Sequence, residues 1–493
     1  MGLEINQIDF SAEDQASYIQ RLEDNLAALD HVLARPGFGT GAGSLGAELE
    51  MYVVDKAGLP LAKNEEILAV ANDPQLTLEL NRYNLEYNLT PYLLSDAPFE
   101  ATEQEISTRL ETANTLAQAF GGRIVPIGIL PTLTQAHFGA SFVTNRKRYY
   151  ALVAQLIRRR GANFRIDING ADPLKLDMTD ITLEGANTSF QVHYRVNPAD
   201  FVDCFNAFQL VTPLVVAISA NSPTLFGHKL WQETRVPLFK QSIDCRVAHR
   251  YGWHEPARVH FGYGWARRNP ADLFREVARL YEPLLPVCGD EDPLETAMAG
   301  KVPTLAELKL LQGTVWLWNR PIYDDAAGGM LRVEARALPA GPTPADMVAG
   351  AAFLIGLAEG TKPDINALLP GIPFQMAEHN FYRAAQHGLA ARIVWPSKTQ
   401  TGCVERDIRD VIEEMLPVAA AGLARIGIGE KESGRYLGII EQRLRANQTG
   451  ADWQLRKLEK AGQRQDRQSA LHEMLESYIG NSRSNQPVGE WQV

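Results

Sequence analysis

The chain has 493 residues, of which 45% are hydrophobic and 22% charged, a composition typical of a globular protein with a large core. Its formal net charge of −11 argues against a nucleic-acid partner, because the phosphate backbone attracts basic surfaces. The four cysteines show no Cys-x-x-Cys spacing, which favours reduced thiols over a disulfide framework or a zinc cluster. The first fifteen residues lack the basic start and apolar core of a signal peptide, and the most apolar run, residues 201–220, carries polar residues and a proline. We therefore expect a cytoplasmic protein without a membrane partner.

Helical periodicity divides the chain into its expected parts. A helix over residues 11–35, with Ser11 as its N-cap, accounts for an N-terminal unit of residues 1–36. Further helices are predicted over residues 102–120, 146–160, 201–217 and 343–360. Beyond residue 404 four charged segments read as helices, which predicts a helical C-terminal region over residues 401–480. Residues 481–493 are polar and are expected to form a flexible tail.

A glycine-rich loop at residues 37–46 contains a G-x-G-x-x-G pattern. In dinucleotide-binding proteins this pattern follows a strand and opens a helix. Here a predicted helix precedes the loop and a predicted strand follows it. The context therefore argues against a dinucleotide-binding fold.

The predicted strands alternate in polarity, which favours an antiparallel sheet and an α+β fold. Four stretches carry unusual polar faces: "GSLGAELEMYVVD", "LELNRYNLEYNLTP", "NTSFQVHYRV" and "MLRVEARAL". Their polar side chains include Glu48 and Glu50, Glu79 and Glu86, Gln191 and His193, and Arg332, Glu334 and Arg336. Any one such strand is most simply half exposed to water. Together they lack lysine and are unusually rich in carboxylates.

If these strands belong to one sheet, its polar face collects five carboxylates, one imidazole and a pair of arginines. Carboxylates packed so closely repel one another unless a cation lies between them. Oxygen-rich sites suit Mg²⁺, and one imidazole makes Mn²⁺ an alternative cation. Mg²⁺ held in this way completes its shell with water and substrate phosphates, and arginines suit anionic oxygens. The pattern therefore indicates a metal site that takes a nucleotide phosphate.

The same motifs, in this order, resemble those of a known family. They are E-x-E in "GAELEMYV", E-x6-E in "ELNRYNLEYNLTP", Q-x-H in "FQVHYRV", "SANSP" at residues 219–223 and R-x-E-x-R in "LRVEARAL". The set resembles the glutamate–cysteine ligase and carboxylate–amine ligase superfamily, whose catalytic domain is similar to that of glutamine synthetase. The resemblance covers roughly residues 40–400, and we assign residues 37–400 to this catalytic domain.

The resemblance implies a strongly curved, mainly antiparallel sheet that forms a funnel for Mg²⁺ and ATP, with helices on its outer face and the C-terminal helices packed on it. It implies that ATP phosphorylates the side-chain carboxylate of glutamate, and that an amine then displaces the phosphate from the γ-glutamyl phosphate. Cysteine is the default amine, which would place the enzyme in glutathione biosynthesis. A ligase of the same chemistry acting on another amine or acid, and a non-catalytic nucleotide-binding regulatory homologue, remain open. The oligomeric state also stays open, with a homodimer as one option.

Residue roles follow from the resemblance motif by motif. Arg332 and Arg336 would contact the transferred phosphoryl group and the carboxylate substrate, while Gln191 and Asn221 would orient substrate or metal-bound water. The metal ligands would be Glu48, Glu50, Glu79, Glu86, His193 and Glu334. Because an acyl phosphate hydrolyses readily, a wall or lid is expected from the 37–46 loop or from the aromatic segment 251–265.

Overall fold

The computed structural model describes residues 5, 7–246, 256–397 and 402–493. Its strands are β1 (Ser44–Val54), β2 (Leu76–Leu78), β3 (Asn84–Asn88), β4 (Tyr92–Leu93), β5 (Arg123–Val125), β6 (Phe164–Ile168), β7 (Leu174–Met178), β8 (Phe190–Val196), β9 (Thr224–Leu225), β10 (His228–Lys229), β11 (Val259–His260), β12 (Trp316–Leu317), β13 (Asn319–Asp324), β14 (Met330–Ala335), β15 (Arg392–Pro396) and β16 (Cys403–Asp407).

Helices occupy most of the remaining regular structure. They are α1 (Ala12–Leu33), α2 (Asn64–Ala71), α3 (Pro98–Gln118), α4 (Lys147–Arg160), α5 (Phe201–Ser219), α6 (Arg235–Ser242), α7 (Ala271–Leu280), α8 (Pro293–Met298), α9 (Ala306–Gln312), α10 (Pro344–Thr361), α11 (Ile365–Leu368), α12 (Phe374–His387), α13 (Ile408–Arg425), α14 (Glu430–Ala446), α15 (Gly450–Gly462) and α16 (Arg467–Arg483).

The main sheet has eight strands in the order β13-β14-β8-β1-β3-β2, with β4 and β5 also paired to β1. Every strand pair within it is antiparallel. The long strand β1 is central, because it pairs with β3 along one edge and with β8 and β5 along the other. The α+β class and the mainly antiparallel sheet predicted from alternating polarity are confirmed.

Helices α3, α5 and α10 pack on the apolar face of this sheet. Helix α5 together with the 3₁₀ turn before it, Pro198–Ser219, is the one helix among the described residues that is long and apolar enough to cross a membrane. Its apolar stretch is 89% buried inside the protein. Helix α10 packs closely against α13: a Cβ atom added at Gly422 would collide with the carbonyl oxygen of Gly356. The sheet therefore keeps only its polar face open for a ligand.

The predicted helices agree with the structure to within a few residues. Ser11 caps α1 by accepting a hydrogen bond from the backbone N–H of Asp14 at 3.1 Å, and Thr343 caps α10 in the same way. The four C-terminal helices predicted beyond residue 404 are α13 to α16. The domain limits themselves stay a prediction.

The end of the chain differs from the flexible tail expected for residues 481–493. Val488 is fully buried and Trp491 nearly so. The Trp491 ring packs edge-on against Trp453 and Tyr478, with ring centroids 5.1 and 5.5 Å away. Gln448 donates hydrogen bonds to the backbone carbonyls of Val488 and Trp491. Two apolar residues thus anchor a segment whose average composition is polar.

Candidate active site

The polar face of the main sheet lines a cavity of about 630 Å³. Strand register brings acids from different strands directly opposite one another: Glu50 faces Glu86 across β1 and β3, and His193 faces Glu334 across β8 and β14. Glu48 and Glu50 lie on the same face of β1 because side chains alternate along a strand. Residues far apart in the sequence therefore converge on one space.

The first group of candidate ligands consists of Glu48, His193 and Glu334. One ligand atom of each lies within 4.8 Å of the others. His193 Nε2 is 3.2 Å from Glu48 Oε1 and 3.6 Å from Glu334 Oε1. Both ring nitrogens of His193 are buried, and neither forms a hydrogen bond with the described residues. An imidazole lone pair beside two carboxylates in this way is suited to a cation.

The second group consists of Glu50, Glu79 and Glu86, with the same 4.8 Å spacing. Glu79 lies directly after β2, in the segment that joins β2 to β3, and Glu86 lies on β3. Asn88 Nδ2 donates to Glu86 at 2.8 Å and Thr77 Oγ1 donates at 3.1 Å. Three carboxylates at this spacing form the oxygen-rich donor set that Mg²⁺ prefers.

The electrostatics of the two groups differ. Burial raises the pKa of Glu86 to about 7, and the Glu48 and Glu50 carboxylates add to the effect. Burial also raises the pKa of Glu79, with Glu86 and Glu50 as further causes. For Glu48, burial would raise the pKa but His193 outweighs it, so the pKa falls to about 2. The second group therefore carries repulsion that a divalent cation would relieve.

Arginines lie beside the first group. Arg320 donates two hydrogen bonds to Glu334, at 2.5 and 3.0 Å, and Arg336 donates a third at 3.2 Å. Although burial opposes it, these two guanidinium groups hold the pKa of Glu334 well below its usual range. Arg332 lines the same cavity and pairs with Asp324 at 3.1 Å. The cavity thus combines cation-binding carboxylates with groups that bind anionic oxygens.

Gln191 connects the two groups. Its Nε2 donates to Glu50 Oε1 at 2.8 Å, and its Oε1 accepts a hydrogen bond from Arg336 Nη1. Glu50 Oε2 also accepts from the backbone N–H of Ser189 at 2.7 Å. Gln191 therefore fixes the positions of Glu50 and Arg336 relative to each other.

Asn221 does not line the cavity, so the structure does not bring it together with the other predicted site residues, and its contact with substrate stays a prediction. Its side chain is fully buried and donates to the backbone carbonyl of Ala340 and to the hydroxyl of Tyr478, both at 2.8 Å. Its Oδ1 accepts from Gln454 Nε2 at 2.8 Å. All these partners are protein groups, and two of them belong to the C-terminal helices, so Asn221 has a structural role.

Several cavity residues escaped the sequence analysis. Arg320 lies on the edge strand β13, where alternation with Ile322 and Asp324 is a usable signal, but Pro321 within the strand obscures it. Glu184 lies on a short turn without periodicity, so no sequence pattern marks it. Arg146, Arg148, Tyr149 and Lys309 also line the cavity.

The expected lid segments do not contribute to the cavity in this structure. Neither residues 37–46 nor residues 256–265 line it. Residues 251–255 of the aromatic segment lie outside the described residues.

A carboxylate-rich sheet face with arginines alongside can neutralise phosphate charge through bound cations and guanidinium groups, as phosphoryl transfer requires. In enzymes that transfer phosphoryl groups, positioning and charge neutralisation do most of the catalytic work.

The comparison with known families is specific. The model of glutamate–cysteine ligase family 2 matches residues 44–477, and the chain belongs to this family. It is accordingly an ATP-dependent ligase that forms a carbon–nitrogen bond. The match confirms the family resemblance carried by the strand motifs.

One of the solved structures compared has a similar fold. A glutamate–cysteine ligase from Francisella tularensis, in complex with AMP, superposes with a TM-score of 0.54 at 12% identity, covering 91% of this chain and 90% of that one. A bifunctional glutathione synthetase from Pasteurella multocida has a TM-score of 0.47 at 12% identity, covering 95% of this chain and 55% of that one. The ligase PafA, in complex with the ubiquitin-like protein Pup, has a TM-score of 0.35 at 11% identity, covering 86% of this chain and 69% of that one. No curated protein sequence matches the chain.

Proposed function

We propose that the chain ligates the side-chain carboxylate of glutamate to an amine, with cysteine as the first candidate, through γ-glutamyl phosphate. The observation that carries the proposal is the pair of three-ligand groups facing one cavity together with Arg332 and Arg336. Such a cavity would hold a nucleoside triphosphate and a carboxylate side by side. The ligase family supports the reaction type, and the substrates are our inference.

Glu48, His193 and Glu334 would hold one Mg²⁺ ion, and Glu50, Glu79 and Glu86 a second. When bound, such ions neutralise phosphate charge and polarise the phosphoryl oxygens.

The protein's own groups supply orientation. The Arg336 Nη1 donates to Glu334 and Gln191, which holds the guanidinium in a fixed position, and its remaining N–H groups would bind an anionic substrate oxygen. Arg332 is half-buried and pairs with Asp324, and in this proposal it would bind the phosphoryl group being transferred. Both residues would keep the carboxylate oxygen in line with the phosphorus atom.

The test is ADP release by the purified protein with ATP, Mg²⁺ and L-glutamate, alone and with L-cysteine, ammonia or other amines. Stimulation by cysteine, with γ-glutamylcysteine detected by mass, supports the proposal. Stimulation by another amine keeps the chemistry and replaces the substrate. No ADP release with any acid and amine, although Mg·ATP binds, favours a non-catalytic nucleotide-binding protein. Failure to bind Mg·ATP overturns the assignment of the acidic sheet face.

A further inference from the structure

Glu184 places a carboxylate in the cavity outside both groups of candidate metal ligands. It lies on the 3₁₀ turn Thr182–Ala186, whose other four residues are buried. Of the five residues in this turn, Glu184 is the one that lines the cavity. Its carboxylate oxygens form no hydrogen bond with the described residues, so they are available to a ligand.

The turn is held firmly in place. Asp180 Oδ1 accepts hydrogen bonds from the backbone N–H and the hydroxyl of Thr182, at 2.8 and 2.6 Å. Asn81 donates to the Thr182 carbonyl at 2.8 Å, and a Cβ atom at Gly185 would collide with the Asn81 side chain. These contacts fix the backbone from which the Glu184 side chain projects. The carboxylate is therefore presented by a rigid support, as a substrate-binding group requires.

Glu184 lines the same cavity as Glu50 and Arg336. Burial raises the pKa of Glu184 to about 8, the Glu50 carboxylate adds to the effect and Arg336 opposes it. One belongs to a candidate metal group and the other to the candidate anion-binding pair. A carboxylate with open acceptor positions at this point is suited to a cationic nitrogen, because charge-assisted hydrogen bonds to an ammonium group are strong.

We propose that Glu184 binds the ammonium group of the amine substrate and accepts one of its protons, which leaves a neutral amine as the nucleophile. This role rests on the proposed function. The ammonium loses one proton to the Glu184 carboxylate. The neutral nitrogen then forms a bond to the acyl carbon of γ-glutamyl phosphate, and the bond between that carbon and the bridging phosphate oxygen breaks. The second nitrogen proton leaves with the phosphate, giving an amide and hydrogen phosphate.

The test compares Glu184→Gln and Glu184→Asp with wild type and with Glu111→Gln, a matched control at an exposed position of α3 outside the cavity. Three rates are measured with Mg·ATP and L-glutamate: ADP release without amine, ADP release with the amine that stimulates the wild type, and hydroxamate formation with hydroxylamine. Hydroxylamine is largely uncharged at neutral pH and needs no proton acceptor before it attacks. It therefore separates binding of a cationic amine from the phosphoryl transfer.

In Glu184→Gln we expect kcat/KM for the cationic amine to fall about 100-fold, the usual scale for loss of a positioned proton acceptor. ADP release without amine and hydroxamate formation should stay near wild-type rates. Glu184→Asp keeps the charge and should recover part of the loss, while Glu111→Gln should match wild type.

Three outcomes overturn the role. Full amine-dependent activity in Glu184→Gln refutes it while leaving the proposed function intact. An equal loss of all three rates shows that Glu184 supports the fold or the metal site instead. A wild type that releases no ADP with any acid and amine overturns the proposed function, and with it this role.

Discussion

Replacing Glu50 by glutamine tests the acidic sheet face most directly. Glu50 faces Glu86 across the strand pair and lies in the second group of candidate metal ligands. Its two carboxylate oxygens accept one hydrogen bond each, from Ser189 N–H and from Gln191 Nε2. Glutamine has nearly the same shape but carries no charge and offers one acceptor oxygen instead of two.

Two opposing effects set the stability of the metal-free variant. One of the two donors loses its acceptor, which costs about 1–3 kcal/mol of folding free energy. In the other direction, burial raises the pKa of Glu50 although Arg336 and Arg235 oppose it, so the ionised carboxylate is disfavoured in the folded protein and a neutral amide relieves this. We therefore expect the free energy of unfolding of the metal-free variant to lie within about 2 kcal/mol of the wild-type value.

Catalysis should suffer far more than folding. Losing an anionic ligand at a metal that stabilises a transferring phosphoryl group removes several kcal/mol of transition-state stabilisation. A loss of about 4 kcal/mol corresponds to a roughly 1,000-fold lower rate.

ADP release measures this loss, and thermal unfolding with and without Mg·ATP measures metal binding. The wild type should be stabilised by Mg·ATP, whereas Glu50→Gln should lose most of that shift, and Glu111→Gln should behave as wild type in both assays. A fully active Glu50→Gln protein would show that the second group does not bind a catalytic metal.

Further variants test the structural contacts. Asn221→Ala should lower the free energy of unfolding by about 1–3 kcal/mol through lost buried hydrogen bonds, yet leave KM for glutamate unchanged; a raised KM would return Asn221 to the substrate site. Gly422→Ala should lower the free energy of unfolding in urea by about 1–3 kcal/mol, because the new Cβ collides with Gly356. Gly438→Ala, on the open face of α14, should raise it by about 0.5–1 kcal/mol. Equal effects of the two variants would contradict the close helix contact. Burial lowers the pKa of His260 to about 3, so at lower pH the unfolded chain takes up a proton before the folded protein does. The free energy of unfolding should therefore be retained above about pH 6.5 and fall by up to about 1.4 kcal/mol per pH unit below it. His260→Gln should flatten that slope, and an unchanged slope would assign it to other groups.

The sequence predicted the acidic face because the signal is local. Two-residue alternation puts Glu48 with Glu50 and Arg332 with Glu334 on one face wherever the strands pair. The motif order then proved sufficient to recognise the family. The exact partners across the sheet, such as His193 opposite Glu334, needed the register that only the folded chain provides.

What the sequence missed depends on long-range contacts or on irregular backbone. Glu184 projects from a turn whose conformation is set by hydrogen bonds from Asn81 and to Asp180. Neither contact produces a periodic pattern in the sequence. The family resemblance implied that Asn221 in "SANSP" orients substrate or metal-bound water. In the structure its partners include Gln454 and Tyr478, more than 230 residues further along the chain.

That Asn221 contact also explains how the C-terminal helices support the site. Gln454, on α15, donates to Asn221 Oδ1, and the Asn221 backbone N–H donates to Glu233 at 2.9 Å. Glu233 accepts from Arg235 at 3.2 Å, and Arg235 in turn donates to the backbone carbonyl of Arg336 at 3.4 Å. All members of this connection except Arg336 are buried, and Arg336 is largely so. Each buried polar group in this series needs its hydrogen-bond partner, so removing one side chain leaves its neighbour with an unsatisfied donor or acceptor. Such a loss would weaken the hydrogen bond from Arg235 that holds the backbone of Arg336 at the end of β14.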